Sequence, residues 1–329
     1  MIAIKLKEVF YLPSGRVFLY DCENYLIECT EMRDVKTDSK EHQEVRETTD
    51  PTIIWKHLRP YKEKWLLTVS TQKGCPYGCQ FCDVASLPFK GNLTQDQIKE
   101  QILNLMWNTP YALVSNKVKI GFARMGEPAH NLNNVLEVIK DLPRLSSKCG
   151  RNFNWLPCFN TILPRKTIEG YSGFEVIDHV LDVKENAYNG FLHFQISCNS
   201  TNERTRKELF GDAEVLSLEE IVEYINSKKI TNRTVTLNFI VMNGIELDFR
   251  KLKNLGIDNG KFVVKLIPLN QTLNSEQNGL ETYANYRNYE KLLILKNQFE
   301  RAGVPVVVDS IAKCEEAGLC CGQLAQIFQ

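Results

Sequence analysis

Short apolar runs alternate with amphipathic stretches along most of this 329-residue chain. The run 65–69 is short and apolar, as expected of a buried parallel strand. After Thr94, apolar residues recur at helical spacing, and Gln97 completes a capping-box pattern with Thr94 at the start of that helix. Repeated strand-then-helix units of this kind predict a parallel sheet with helices packed on its outer face.

The same alternation continues to the end of the chain. Further strands are predicted at 118–122, 154–156, 192–196, 235–241, 262–267 and 306–308, with helices through Val135 and Ile139, at 218–225 and at 289–299. About six such units and one later strand favour an α/β fold, a partial (β/α)6 barrel. In barrels of this kind, the chemistry gathers at the carboxyl ends of the strands.

The N-terminal part has a different pattern. Apolar runs at 9–12 and 17–20 flank the turn residues 13–15, which predicts a β-hairpin, and 25–29 could add a third strand. Residues 33–50 are charged and rich in Ser and Thr, which predicts a solvated loop. We therefore expect two regions: 1–62, a small β-rich extension, and 63–329, the partial barrel with a C-terminal cysteine segment.

One short loop places Cys75, Cys79 and Cys82 in a C-x-x-x-C-x-x-C pattern. Structural iron–sulfur clusters usually take four cysteines, so a set of three favours a cluster with one open iron. The alternative is a zinc site, which usually needs four paired ligands. No second cysteine pair follows at zinc-finger spacing, and the histidines in the rest of the chain are scattered. We therefore favour the cluster.

Polar residues follow several of the predicted strands. Gly126 and Glu127 come after the second strand, where a glycine allows close backbone approach and a carboxylate can receive an ammonium group. Ser197, Cys198 and Asn199 end the fourth strand, and Asn270 follows the sixth. Each one alone is more often an ordinary loop residue. Their shared position at strand ends makes them candidates for ligand binding.

Five motifs in order resemble the RlmN/Cfr family of radical S-adenosylmethionine (SAM) methyltransferases, which modify adenine carbons of ribosomal RNA. They are Ser70-x-Gln72-x-Gly74-Cys75, Asn92-Leu93-Thr94, Gly126-Glu127-Pro128 with 131–135, Leu266-Ile267-Pro268-x-Asn270, and Cys321-Gly322-Gln323-Leu324. The resemblance covers about residues 65–329.

The resemblance implies that Cys75, Cys79 and Cys82 hold a [4Fe–4S] cluster. It also implies that SAM is bound by Gly126, Glu127, Ser197, Cys198, Asn199 and Asn270. Cys321 matches the cysteine that accepts a methyl group from one SAM. In the family, a second SAM is cleaved to a radical that takes hydrogen from this methyl group, and the carbon radical adds to an sp² carbon of the substrate. The alternative for Cys321 is a buried structural thiol.

The chain also departs from the family. Thr68 stands where the family has a second cysteine, which helps to release the product, and Cys158-Phe159-Asn160-Thr161 replaces a Ser-Thr-Ser-Gly stretch. Cys320, Cys29 and Cys314 are candidate replacement thiols. Glu28 matches a family glutamate that is proposed to accept a proton. The family's N-terminal RNA-binding domain is not expected here, because the cysteine loop comes early in the chain.

Composition adds few constraints. Lys plus Arg equals Asp plus Glu at 40 each, so the net charge gives no support to a nucleic-acid partner. Eleven cysteines without a signal segment fit metal binding and catalysis better than disulfides, and no apolar run reaches membrane-spanning length. We expect a cytoplasmic enzyme that takes electrons from an external flavodoxin- or ferredoxin-like donor.

Three functions stay open at this point. The first is methylation of an sp² carbon of RNA adenine or of a smaller heteroaromatic compound through methylated Cys321. The second is a radical SAM enzyme with another outcome, such as hydrogen abstraction, rearrangement or crosslinking on a metabolite or peptide. The third is a non-catalytic iron–sulfur protein that binds RNA or senses redox state. The Gly126-Glu127-Pro128 motif argues against the third, since a sensor needs no SAM pocket.

Overall fold

The computed structural model describes residues 4–34, 55–257, 260–284, 290–308 and 320–329. Its strands are β1 (Lys5–Leu12), β2 (Gly15–Asp21), β3 (Leu26–Met32), β4 (Trp65–Thr68), β5 (Gln72–Lys73), β6 (Gly91–Asn92), β7 (Lys117–Gly121), β8 (Asn154–Thr161), β9 (His193–Ser197), β10 (Val235–Val241), β11 (Phe262–Pro268) and β12 (Val306–Val308).

The α-helices that follow them are α1 (Gln95–Asn108), α2 (Leu132–Lys148), α3 (Gly173–Tyr188), α4 (Glu203–Leu209), α5 (Leu218–Asn226), α6 (Phe249–Asn254), α7 (Leu273–Gln277), α8 (Glu290–Arg301) and α9 (Gln323–Phe328). Short 3₁₀ turns lie at Asp83–Ser86, Pro110–Val114 and Pro128–Asn131. Among the described residues, no helix combines the length and the apolar character needed to cross a membrane.

One ten-stranded sheet organises the molecule, in the order β1-β2-β3-β4-β7-β8-β9-β10-β11-β12. All neighbours from β4 to β12 pair in parallel, and helices lie between successive strands in the chain. The predicted α/β fold with a parallel sheet is confirmed. All the parallel strands therefore end at the same edge of the sheet.

The predicted N-terminal hairpin is also present. β1 pairs with β2, β2 with β3 and β3 with β4, all antiparallel, so these strands extend the main sheet without a break. The boundary between 62 and 63 stays a prediction. The loop predicted at 33–50 falls outside the described residues from 35 onwards.

The predicted capping box explains where α1 begins. Thr94 accepts a hydrogen bond from the backbone of Gln97, and the Gln97 side chain accepts one from the backbone of Thr94, so the capping box is formed. β8 is longer than predicted, because it continues through Pro157 to Thr161. The extension brings Asn160 and Thr161 to the edge where the parallel strands end.

We expect Thr94→Ala to lower the free energy of unfolding by about 1 kcal/mol, because the backbone amide of Gln97 loses its acceptor. Thr94→Ser is the matched control and should keep most of the stability, since its hydroxyl can accept the same bond. Urea unfolding of the three proteins would measure the difference. Equal stability of all three would contradict a contribution from this cap.

Candidate active site

A cavity of about 300 Å³ lies where the parallel strands end. The cysteine loop forms one wall, and residues 320–321 form another. Eight of the residues predicted to hold the cluster, bind SAM or carry the methyl group line it, namely Cys75, Cys79, Cys82, Gly126, Glu127, Ser197, Asn270 and Cys321. The structure thus brings together residues that lie up to 246 positions apart in the chain.

The cysteine loop is held by contacts at both of its ends. Gly74 has φ +76°, and a Cβ there would lie 2.5 Å from the carbonyl oxygen of Pro88, so only glycine fits. At the other end, the Asn274 side-chain amide donates to the carbonyl oxygens of Cys79 (3.0 Å) and Cys82 (3.2 Å). Asn274 belongs to α7, and no local sequence pattern predicts this contact.

The three loop thiols share the cavity wall. Burial raises the pKa of each of them, to about 12 for Cys82, so the thiols hold their protons at neutral pH. Among the described residues, no three His, Cys, Asp or Glu side chains converge at the spacing of a single bound ion. The thiols are instead spread along the wall of a cavity large enough for a bigger group.

The turn after β7 brings the backbone of Gly126 close to Gln72 of β5, the short strand that leads into the cysteine loop. Gly126 has φ +99°, and a Cβ there would lie 2.6 Å from Cβ of Gln72. Gln72 Oε1 accepts a hydrogen bond from the backbone amide of Glu127 at 2.7 Å, and its amide donates to Asn92. Glycine is required here by both the backbone angle and the close approach.

Glu127 carries a buried carboxylate at the cavity wall. Burial raises its pKa to about 7, although the Thr161 side chain and the backbone amides of Ile162 and Ala129 donate to it and favour the ionised form. The carboxylate is only 5% exposed. The side chain titrates near neutral pH, and its ionised form is suited to bind an ammonium group.

The polar residues after β9 divide between the cavity and the surrounding structure. Ser197 lines the cavity, whereas the Cys198 thiol faces the other side of the strand and contacts the carbonyl oxygen of Ile196 at 3.5 Å. Asn199 does not line the cavity either, but its Oδ1 accepts from the backbone amide of Ile240, which does. Its Nδ2 is buried and has no hydrogen-bond partner among the described residues.

Cys321 stands beside a buried arginine. The guanidinium of Arg124 lies 3.8 Å from Cys321 Sγ through Nη1 and donates to the carbonyl oxygen of Cys320 at 3.1 Å through Nη2. Burial would lower the pKa of Arg124, but the charge of Glu28 and the neighbouring cysteines raise it. A permanent positive charge therefore faces the sulfur.

Glu28 lies behind the cavity and does not line it. It is fully buried, and its carboxylate pairs with Arg124 at 2.6 Å. It also accepts hydrogen bonds from the backbone amides of Gly322 (3.2 Å) and Ala325 (2.8 Å) at the start of α9. In this geometry Glu28 anchors the segment that carries Cys321; its role as a proton acceptor stays a prediction.

The candidate replacement thiols are placed differently. The Thr68 hydroxyl is 2.5 Å from that of Thr30 and does not line the cavity. Cys320 lines the cavity next to Cys321, whereas buried Cys29 does not line it. Cys314 lies outside the described residues. Of these thiols, Cys320 is the one that the described structure places at the cavity.

Sequence reasoning missed Arg124 and Asn274, which hold two walls of the cavity. Arg124 lies two residues before Gly126, directly after a predicted strand, and this position was a usable signal. Asn274 had no comparable signal, because its contacts are with residues about 190 positions away.

Comparison of whole sequences with known proteins finds relatives of this chain. No family model matches the chain. The probable dual-specificity RNA methyltransferase RlmN of Endomicrobium trichonymphae is 29% identical over 235 residues, which are 68% of this chain and 60% of that protein. RlmN of Desulfosudis oleivorans is 29% identical over 230 residues, 68% of this chain and 57% of that protein. The chain therefore spans less than two thirds of the length of these relatives.

The fold has a solved counterpart as well. The crystal structure of a radical SAM methyltransferase from Sphaerobacter thermophilus superposes with a TM-score of 0.67. The match covers 98% of this chain and 81% of that one, at 17% identity. At this identity the match establishes a shared fold.

The Glu28–Arg124 contact gives a direct test of how the Cys321 segment is held. Glu28→Gln leaves the buried Arg124 without its counter-charge, and we expect the free energy of unfolding to fall by about 3–5 kcal/mol. Backbone amides at 322–329 should also exchange faster, because the acceptor for Gly322 and Ala325 is weakened.

The double variant Glu28→Leu/Arg124→Leu is the control, since it removes both charges and leaves no unpaired ion. It should be more stable than Glu28→Gln. Chemical unfolding and hydrogen exchange read by mass spectrometry would measure both effects. A single variant as stable as the original protein would rule out the anchoring role.

Proposed function

The chain is an RlmN/Cfr-like radical SAM protein, and from this premise we propose that it is a methyltransferase that modifies an sp² carbon of RNA through a methyl group carried on Cys321. The observation that carries the proposal is the position of Cys321. Its sulfur shares one cavity with the three loop thiols and the polar residues at the strand ends. The names of the RlmN relatives support RNA as the substrate.

The residues at the cavity fit the two cofactors of such a reaction. Cys75, Cys79 and Cys82 would hold a [4Fe–4S] cluster, which when bound supplies the electron that cleaves SAM. Glu127 would receive the ammonium group of SAM. The buried Asn199 amide, which has no partner among the described residues, would donate to a bound ligand if a small side-chain rotation brings it to the cavity. An external flavodoxin- or ferredoxin-like protein would supply the electrons.

Arg124 has a defined part in this proposal. A thiol accepts a methyl group from SAM as its thiolate, and an adjacent guanidinium stabilises that anion. Arg124 also fixes the direction of the sulfur by binding the carbonyl oxygen of Cys320. It would therefore both activate Cys321 and orient it.

A second outcome is favoured by one specific observation, the threonine at position 68. Its hydroxyl contacts Thr30 and cannot form the disulfide that frees the product in the family. Either Cys320, which lines the cavity, takes over the release of the product, or the enzyme performs a different radical reaction on its substrate.

The mass of anaerobically purified, cluster-loaded protein tests the methyl carrier. With SAM present, we expect one added methyl group on the peptide that contains Cys321. Cys321→Ala should lack it, and Cys320→Ala, which removes the neighbouring thiol, should keep it. An unmodified Cys321 together with release of 5′-deoxyadenosine would reject methyl transfer and favour the second outcome.

The raised pKa of Glu127 predicts that SAM binding depends on pH. Because its pKa is about 7, the carboxylate is mostly protonated at about pH 6 and mostly ionised at about pH 7.5. SAM should therefore bind the cluster-loaded protein several-fold more tightly at the higher pH. Glu127→Gln should bind weakly with little change over this range. A pH dependence that survives in Glu127→Gln would mean that another group titrates.

A further inference from the structure

The face of the sheet that lines the cavity is called the inner face here. It continues below the cavity towards the amino ends of the strands. Ile267, Ile240 and Ser197 line the cavity, and side chains two and four positions earlier point to the same side. In β11, this face carries half-buried Val263 and Lys265, while the alternate residues are buried against the helices.

Positive charges gather on this inner face. By the same two-residue alternation, Ala123 at the cavity places Lys119 and Lys117 of β7 on the inner face. Register pairs Lys119 with Leu66 of β4, and Lys64 precedes that strand on the same side. Arg233 stands just before β10. Together with Lys265 of β11, these cations lie in or just before four different strands, at the amino end of the sheet.

The charges of the same cations act on three groups, His193, Lys117 and Cys158, which indicates that the cations lie close together. Burial and then the charges of Lys119, Arg233 and Lys265 lower the pKa of His193. Burial and then the charges of Arg233, Lys64 and Lys119 lower the pKa of Lys117. The Cys158 thiol is acted on by Lys119, Arg233, Lys265 and Lys64, although burial raises its pKa overall.

The described structure does not balance this charge. No carboxylate is among the strongest influences on His193, Lys117 or Cys158, and Asp34 pairs with Lys64. The side chains of Lys117, Lys119 and Arg233 make no hydrogen bond or ion pair within the described part of the chain. Neighbouring cations without counter-charge repel one another, and a bound anion would relieve the repulsion.

We propose that the inner face of the sheet at its amino end is a binding site for a phosphate-type oxyanion, held by Lys117, Lys119 and Arg233. Lysine and arginine are the side chains that proteins use for phosphate, and Arg233 can bind two oxygens at once. The His193 ring, which donates to or accepts from Thr236 at 2.9 Å, is close enough to Lys119 and Arg233 for their charges to act on it. The site lies at the opposite end of the strands from the cavity and does not depend on the proposed reaction.

Thermal unfolding of the full chain tests the site with three probes: inorganic phosphate, adenosine 5′-monophosphate, and chloride at matched ionic strength. A ligand that binds only the folded state raises the melting temperature, here by about 2 °C or more. We expect a rise with phosphate or with the nucleotide above that with chloride. Whichever of the two probes raises the melting temperature more shows whether the site prefers free phosphate or a nucleotide phosphate.

Lys119→Gln should abolish the rise, and without ligand it should melt at the same temperature as the original protein or higher, because a repelling charge is gone. Arg233→Gln tests the same site from another strand. Lys229→Gln is the matched control, since Lys229 is an exposed lysine in the loop before β10, and it should keep the full rise. An equal response in all four proteins, or none above chloride, would overturn the proposal.

Chemical labelling provides a second measurement that needs no variant. Because the pKa of Lys117 is lowered, its amine should react readily with an acylating reagent, and bound phosphate should protect it several-fold. Exposed Lys229 in the same protein should be labelled equally with and without phosphate. Peptide masses would show both, and unprotected Lys117 at saturating phosphate would count against the site.

Discussion

The buried ion pair between Glu28 and Arg124 is the interaction on which the cavity depends. Glu28 comes from β3 and Arg124 from the turn after β7, and together they bind the segment that carries Cys321. Removing one partner of such a pair leaves an uncompensated charge in the interior, which costs about 3–5 kcal/mol. The pair therefore ties the position of the Cys321 sulfur to the stability of the whole sheet.

This dependence gives the N-terminal strands a function in the site. Besides Glu28, β3 supplies the backbone amide of Leu26, which donates to the side chain of Gln329, and Phe10 of β1 contacts Phe328. Gly322 turns the chain with φ +83° against Val84, so the same segment also packs on the cysteine loop. The antiparallel strands thus position the wall opposite the strand ends.

The elements of the fold could be predicted because their signals are local. β10 and β12 have the predicted bounds, since both are short runs of mostly β-branched apolar residues, and the capping box of Thr94 marks the start of α1. Candidate residues at strand ends could be found by position alone. The contacts that hold the walls could not, because Glu28 is 96 residues from Arg124 and nearly 300 from Gly322 and Ala325, and these separations follow no periodic pattern.

The position of Cys321 also bears on the order in which the site is assembled. The cysteine loop and the parallel strands precede it in the chain, so a ribosome makes them before the segment that carries Cys321. Until that segment is made, one side of the cavity has no wall, and the three loop thiols face an open cleft. Docking of α9 on Glu28 closes this side and sets the Cys321 sulfur in place.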